Sequence, residues 1–95
     1  MDIGLRSKNV LIVGGSKGIG EGIVMGFAKE NCKIVNIARS EDLLKEVGKK
    51  ALEIGVESYQ YEVVDIMECD TKKFASDLIE KYGVFDVVVH NVGGS

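Results

Sequence analysis

The feature that most constrains this chain is a crowd of glycines placed directly behind a short apolar run. Val10 to Val13 reads Val-Leu-Ile-Val, and Gly14, Gly15, Gly18, Gly20, Gly22 and Gly26 then fall within thirteen residues. The run is wholly apolar and mostly β-branched, which predicts a strand covered on both faces. Glycine lets the backbone behind such a strand turn sharply and approach a neighbour closely. Inside a helix it costs up to about 1 kcal/mol relative to alanine, so a run of them needs a reason. The chain holds 12 glycines and no proline, and most of the other glycines stand at plausible element ends.

Beyond the glycines, strand and helix patterns alternate without repeat or linker. Ile19, Ile23, Val24, Phe27 and Ala28 recur at helical spacing, with Gly18, Gly22 and Gly26 on a neighbouring stripe that suits a helix lying close to a strand or ligand. Lys33 to Ile37 predicts a second strand. Ser40 is placed to cap a second helix, with Glu41 and Asp42 in its first turn, Leu43, Leu44, Val47, Ala51 and Leu52 along it, and Gly55 at its end. Tyr59, Tyr61 and Val63 alternate with Gln60, Glu62 and Val64, the pattern of an edge strand. Asp70 or Thr71 opens a third helix through Phe74, Leu78, Ile79 and Tyr82 to Gly83, and Val84 to Val89 predicts a fourth strand.

The order β-α-β-α-β-α-β places the chain in the α/β class, because right-handed crossovers then build a parallel sheet with helices on both faces. Half of a Rossmann-type, doubly wound sheet is expected, with strand order 3-2-1-4. The fourth strand would be an edge, yet Asp86 to Val89 is among the most apolar stretches and suits an interior position. Residues 1–95 are therefore expected to be a fragment or half-molecule of one larger domain.

Composition removes several function classes. With 12 Lys and Arg against 15 Asp and Glu, the net charge is -3 and no basic cluster is present, so nucleic acid is not an expected partner. No stretch reaches the roughly 18 apolar residues of a spanning helix, and Met1 to Asn9 has no apolar leader pattern. No membrane partner is expected. Cys32 and Cys69 are too few for a disulfide framework and are not spaced as metal ligands. Free thiols in a cytoplasmic protein with no metal site are the expectation.

The chemistry is expected in the turn from Gly14 to Gly20, spaced G-x3-G-x-G rather than G-x-G-x-x-G. Glycines alone would equally describe a flexible surface loop. Behind a buried strand and ahead of a helix, they instead leave unpaired N–H groups and the positive end of a helix dipole facing an anion such as a diphosphate.

At these residues the chain resembles the short-chain dehydrogenase/reductase family. Its T-G-x-x-x-G-x-G motif is matched by Gly14, Gly18 and Gly20. Its N-N-A-G segment is matched in place by His90-Asn91-Val92-Gly93, and its acidic turn after the third strand by Val63-Val64-Asp65-Ile66. The resemblance implies a dinucleotide along Gly14, Ser16, Lys17, Gly18, Ile19 and Gly20. It implies adenine contacts at Asp65 and Ile66, and Asn91, Val92 and Gly93 on the ribose and nicotinamide side. It further implies hydride transfer between nicotinamide and a small carbonyl or alcohol substrate, in a homo-oligomer. Two positions depart from the pattern. Val13 stands where the family has threonine, which removes a hydroxyl tie between glycine loop and fourth strand. His90 stands where it has asparagine, either as a proton relay or as a plain strand-end histidine.

Cofactor choice has its own argument. An NAD site commonly offers an acidic residue about 20 positions past the glycines, and none lies between Asn31 and Ser40. Arg39 follows the second strand instead. With Lys17, Ser16 and Ser40 it is placed to receive a 2'-phosphate, which favours NADP(H) over NAD(H), since arginine's fork donates two hydrogen bonds to phosphate oxygens. The competing reading is a pair of solvated surface cations. The family's catalytic tyrosine, with a lysine four residues on, is not found: Tyr59, Tyr61 and Tyr82 are followed by Val63, Asp65 and Asp86. No catalytic residue is assigned. A non-catalytic NADP(H)-binding module or an inactive fragment is the alternative.

Overall fold

A strand with no polar face is stable only where both its sides are covered, and β1 (Asn9–Val13) occupies that position. The computed structural model describes residues 7–14, 18–64 and 71–91. Within them β1 is followed by α1 (Ile19–Ala28), β2 (Lys33–Ala38), α2 (Glu41–Ile54), β3 (Ser58–Val63), α3 (Thr71–Tyr82) and β4 (Val87–His90). The four strands form one sheet in the order β3-β2-β1-β4, as the sequence predicts. Every pairing is parallel. Val10 stands beside Ile34 and Val87, and Val13 beside Ile37 and His90.

The alternation of side chains along the strands gives the sheet two apolar faces. On one, Val10, Ile12 and Ile34 pack with Val24, Ala28, Val47 and Ala51 of α1 and α2. On the other, Leu11, Val13, Val35 and Ile37 pack with Leu78 of α3. Burial of each large aliphatic side chain contributes about 1.5–3 kcal/mol, so β1 and β2 anchor both layers.

Two expectations need adjustment. The glycine stripe Gly18, Gly22, Gly26 is not the packed face of α1. That face is Gly20, Val24 and Ala28, while Gly22 and Gly26 are exposed and a Cβ at either would meet nothing within 4 Å. The fourth strand begins at Val87, not Val84, because the residues before it serve as a tether. Asn9 donates from its backbone N–H to the Asp86 carboxylate at 2.9 Å and from its side-chain amide to the Val84 carbonyl at 3.1 Å. β4 is an edge among the described strands, as the strand order predicts: it has only β1 beside it, alternates half-buried and exposed residues, and leaves Val88 61% exposed.

Candidate functional site

The carboxyl ends of β1, β2 and β4 meet the N-terminus of α1 at one corner, and backbone atoms build most of it. Gly14 leaves β1 with φ of +87°, a region that disfavours any residue with a Cβ. Its N–H donates to the Ile37 carbonyl of β2 at 2.7 Å. On the other side the Asn91 N–H donates to the Val13 carbonyl at 2.8 Å, and the Asn91 side-chain amide donates to the Gly14 carbonyl at 3.1 Å. Asn91 thus ties the glycine turn to the end of β4, and Val13 is buried in the core against α3.

No side chain fits between these groups. A Cβ at Gly14 would lie 2.1 Å from the Asn91 carbonyl oxygen. A Cβ at Gly20 would lie 2.0 Å from the Gly14 carbonyl oxygen and 2.7 Å from the Asn91 amide nitrogen. Gly20 therefore lets α1 start directly against the end of β1. Gly18 is different: it sits at the N-cap of α1 with φ of +60°, and a Cβ there would meet nothing within 4 Å. Its glycine serves backbone conformation at an open, exposed position.

The first turn of α1 has N–H groups without acceptors in the helix, and Gly18 offers no side chain to cap them. Such an end attracts anions. Glu21 in that turn is the local charge that opposes this, and the Lys50 ammonium of α2 draws it aside at 2.8 Å. The Glu21 carboxylate in turn raises the pKa of Lys50. Ile19, at the first helical position, is 80% exposed next to the open glycine, so it offers an apolar surface beside the polar turn.

A second corner lies beside the first. β2 ends at Ala38, whose carbonyl accepts from the Val64 N–H at 2.9 Å, and Arg39 follows with its side chain exposed. Ser40 caps α2, its hydroxyl oxygen accepting from the Leu43 N–H at 3.5 Å. The acidic neighbour Glu41 accepts a hydrogen bond from the Tyr61 hydroxyl at 3.0 Å. The interval expected to lack an acid holds instead Asn36, fully buried and bonded to the Tyr59 hydroxyl at 2.9 Å.

The structure thus brings Gly14, Gly18, Ile19, Gly20 and Asn91 into one corner and sets Arg39 and Ser40 at the next. His90 ends β4, exposed, opposite Val13 in register. Ser16, Lys17, Asp65, Ile66, Val92 and Gly93 lie outside the described residues. Among the described residues no group of three or more His, Cys, Asp and Glu side chains is arranged to hold a metal, and no helix is long and apolar enough to cross a membrane. Cys32 is a free, buried thiol, its pKa raised by burial. Sequence reasoning missed Tyr59 and Tyr61, weighed there only against the family's tyrosine–lysine pattern. Their period-2 spacing on an edge strand next to a helix was the available signal.

A family model described as short chain dehydrogenase matches residues 8–95. The chain is 36% identical over 90 residues to an 11-beta-hydroxysteroid dehydrogenase of Pinus massoniana, covering 94% of this chain and 25% of that protein. It is 33% identical over 89 residues to an L-rhamnose 1-dehydrogenase (NADP(+)) of Thermoplasma acidophilum, covering 93% and 35%. Among solved structures, L-sorbose reductase of Gluconobacter frateurii, complexed with NADPH and L-sorbose, superposes with a TM-score of 0.85 at 34% identity, over 98% of this chain and 36% of that one. The chain spans between 25% and 35% of the length of these curated relatives.

Proposed function

The chain belongs to the short-chain dehydrogenase family, and on that premise we propose that it is the cofactor-binding part of an NADP(H)-dependent oxidoreductase acting on a small carbonyl or alcohol compound. The observation that carries the reading is the corner at Gly14, Gly20 and Asn91. There β1, β4 and α1 are drawn together without an intervening side chain, while Gly18 stays open to a ligand. This is the cradle that a dinucleotide needs, because its diphosphate must come close to backbone N–H groups.

The bound dinucleotide supplies hydride donation or acceptance at its nicotinamide. The residues of this chain bind and orient it. The α1 N-terminus holds the diphosphate through N–H groups and the helix dipole, worth typically 0.3–1 kcal/mol per charge at an exposed end. Ile19 covers one side of the turn. Asn91 holds the glycine turn to the β4 end, so the two parts of the cleft keep their spacing. Arg39 receives the 2'-phosphate at the β2 end, with Ser40 beside it and Ser16 and Lys17 assigned by their place in the loop. Asp65 and Ile66 are assigned to adenine, and Val92 and Gly93 to the ribose and nicotinamide side. The rhamnose dehydrogenase and sorbose reductase relatives, named with NADP(+) and NADPH, support the choice of cofactor. A cytoplasmic homo-oligomer is part of the same proposal.

The test is the affinity of the intact gene product for NADPH and NADH, followed by nicotinamide fluorescence, with Arg39→Ala. A contact to a charged group is worth about 1.5–3 kcal/mol, so NADPH should bind about ten- to a hundredfold more weakly while NADH is little changed. Equal weakening of both overturns the NADP assignment. Oxidation of NADPH on adding aldoses or ketones tests the reaction class.

A further inference from the structure

We propose that Tyr59 and Tyr61 are positioning residues for cofactor choice: from β3 they fix the first turn of α2, and with it the corner from which Arg39 meets the 2'-phosphate. The inference rests on the reading of Arg39 given above. The cap alone is a weak anchor, since the Ser40 hydroxyl accepts from Leu43 at 3.5 Å, at the outer limit of a hydrogen bond. The tyrosines supply what the cap lacks. The Tyr59 hydroxyl donates to the Leu44 carbonyl at 2.9 Å, and the Tyr61 hydroxyl donates to the Glu41 carboxylate at 3.0 Å. Both acceptors stand in the first turn of α2, directly after Arg39 and Ser40.

Tyr59 is itself held. Its hydroxyl accepts from the Asn36 side-chain amide at 2.9 Å, and Asn36 is fully buried in β2, two residues before its end. Its ring lies over Gly48 of α2, where a Cβ would come within 2.6 Å of it. One hydroxyl therefore joins the strand that delivers Arg39, the edge strand β3 and the helix that receives the chain after Arg39. Burial pushes the Tyr59 phenol up to about 12, so it stays a donor across the working pH range. A long, exposed arginine recognises a phosphate best when its backbone is already in place, because less ordering then remains to be done on binding.

Tyr59→Phe keeps the ring over Gly48 and removes only the hydroxyl. The experiment measures NADPH and NADH dissociation constants for the intact gene product carrying Tyr59→Phe, Arg39→Ala, or both. Loss of one hydrogen bond should lower the NADPH-over-NADH preference about three- to tenfold. The NADH constant should hold within about twofold, and Tyr59→Phe should add nothing in the Arg39→Ala background. Tyr61→Phe, which leaves the packed ring of Tyr59 in place, should lower the preference about twofold and carries the test if Tyr59→Phe loses its cooperative thermal transition. An unchanged preference, equal weakening of both cofactors, or a full-sized effect in the Arg39→Ala background overturns the proposal. If Arg39→Ala alone leaves the preference unchanged, the 2'-phosphate reading has failed and the proposal falls with it. If Arg39→Ala discriminates and the tyrosine variants do not, only the proposal has failed.

Discussion

Two corners sit side by side at the carboxyl edge of the sheet, and they are built by opposite means. The corner at Gly14 and Gly20 is made by leaving side chains out, so that carbonyl, amide and helix end touch directly. The corner at Arg39 and Ser40 is made by bringing side chains in, with Tyr59 and Tyr61 reaching from β3 into the start of α2 and Asn36 of β2 bonded to Tyr59. A corner of bare backbone is rigid but has no room for variation. One assembled from side chains can be retuned a single group at a time. On the proposed reading, a site that holds a diphosphate and chooses between two ribose groups gains from having one of each.

The sharpest way to break this comparison is a pair of alanines in α1. Gly20→Ala forces a Cβ within 2.0 Å of a backbone oxygen and should cost about 1–3 kcal/mol or more. Gly22→Ala, two residues on and in open space, should instead stabilise by up to about 1 kcal/mol through helix propensity. Chemical denaturation midpoints of the two variants read the sign directly, and a matching loss in both would mean that the corner is not close-packed. Next in size, Asn91→Ala removes one hydrogen bond to the Gly14 carbonyl and should cost about 1 kcal/mol. It should weaken NADPH and NADH alike, in contrast to the selective loss expected for Arg39→Ala, and paired titrations check this.

The smallest effect is expected at Glu62, which stands between Tyr61 and Val63 and serves α3. Burial pushes its carboxyl up, but hydrogen bonds from the Lys81 ammonium, at 2.7 Å, and from the Tyr82 hydroxyl outweigh that and hold it below the ordinary carboxylate range. A group lowered in the folded state stabilises above its unfolded pKa, and the contribution is lost as pH falls through its folded value. Glu62→Gln should therefore flatten the acid limb of the stability curve, by about 0.2–1 kcal/mol at neutral pH, without altering the NADPH preference. A shift in that preference would move the control of the second corner to the wrong face of β3.

The two corners also differ in how far they could be read from sequence. Strand order, element sequence and the glycine turn follow from Val10–Val13, the helical spacing after Gly18 and the crossover rule, because hydrophobic periodicity is local. Gly20's role was less visible. Gly18, Gly22 and Gly26 and the set Gly20, Val24, Ala28 share one spacing, and only tertiary contact selects between them. The start of β4 was hidden for a similar reason, since Asn9 decides it from 75 and 77 residues away. Asn36 and Tyr59 were legible as residue types but not as partners, because a buried polar network shows itself only when two strands and a helix are assembled.

The bond between the Asn91 amide and the Gly14 carbonyl joins residues 77 positions apart. Contacts so distant in the chain are entropically expensive to close and set slow folding rates, whereas the β1–β2 and β2–β3 pairings enclose shorter loops. The glycine turn thus acquires its final shape only when β4 has docked. Any collapsed intermediate that holds β1, β2 and β3 alone would carry the whole glycine motif and still grip nucleotide poorly, so the gain of cofactor affinity during refolding would time the arrival of the fourth strand.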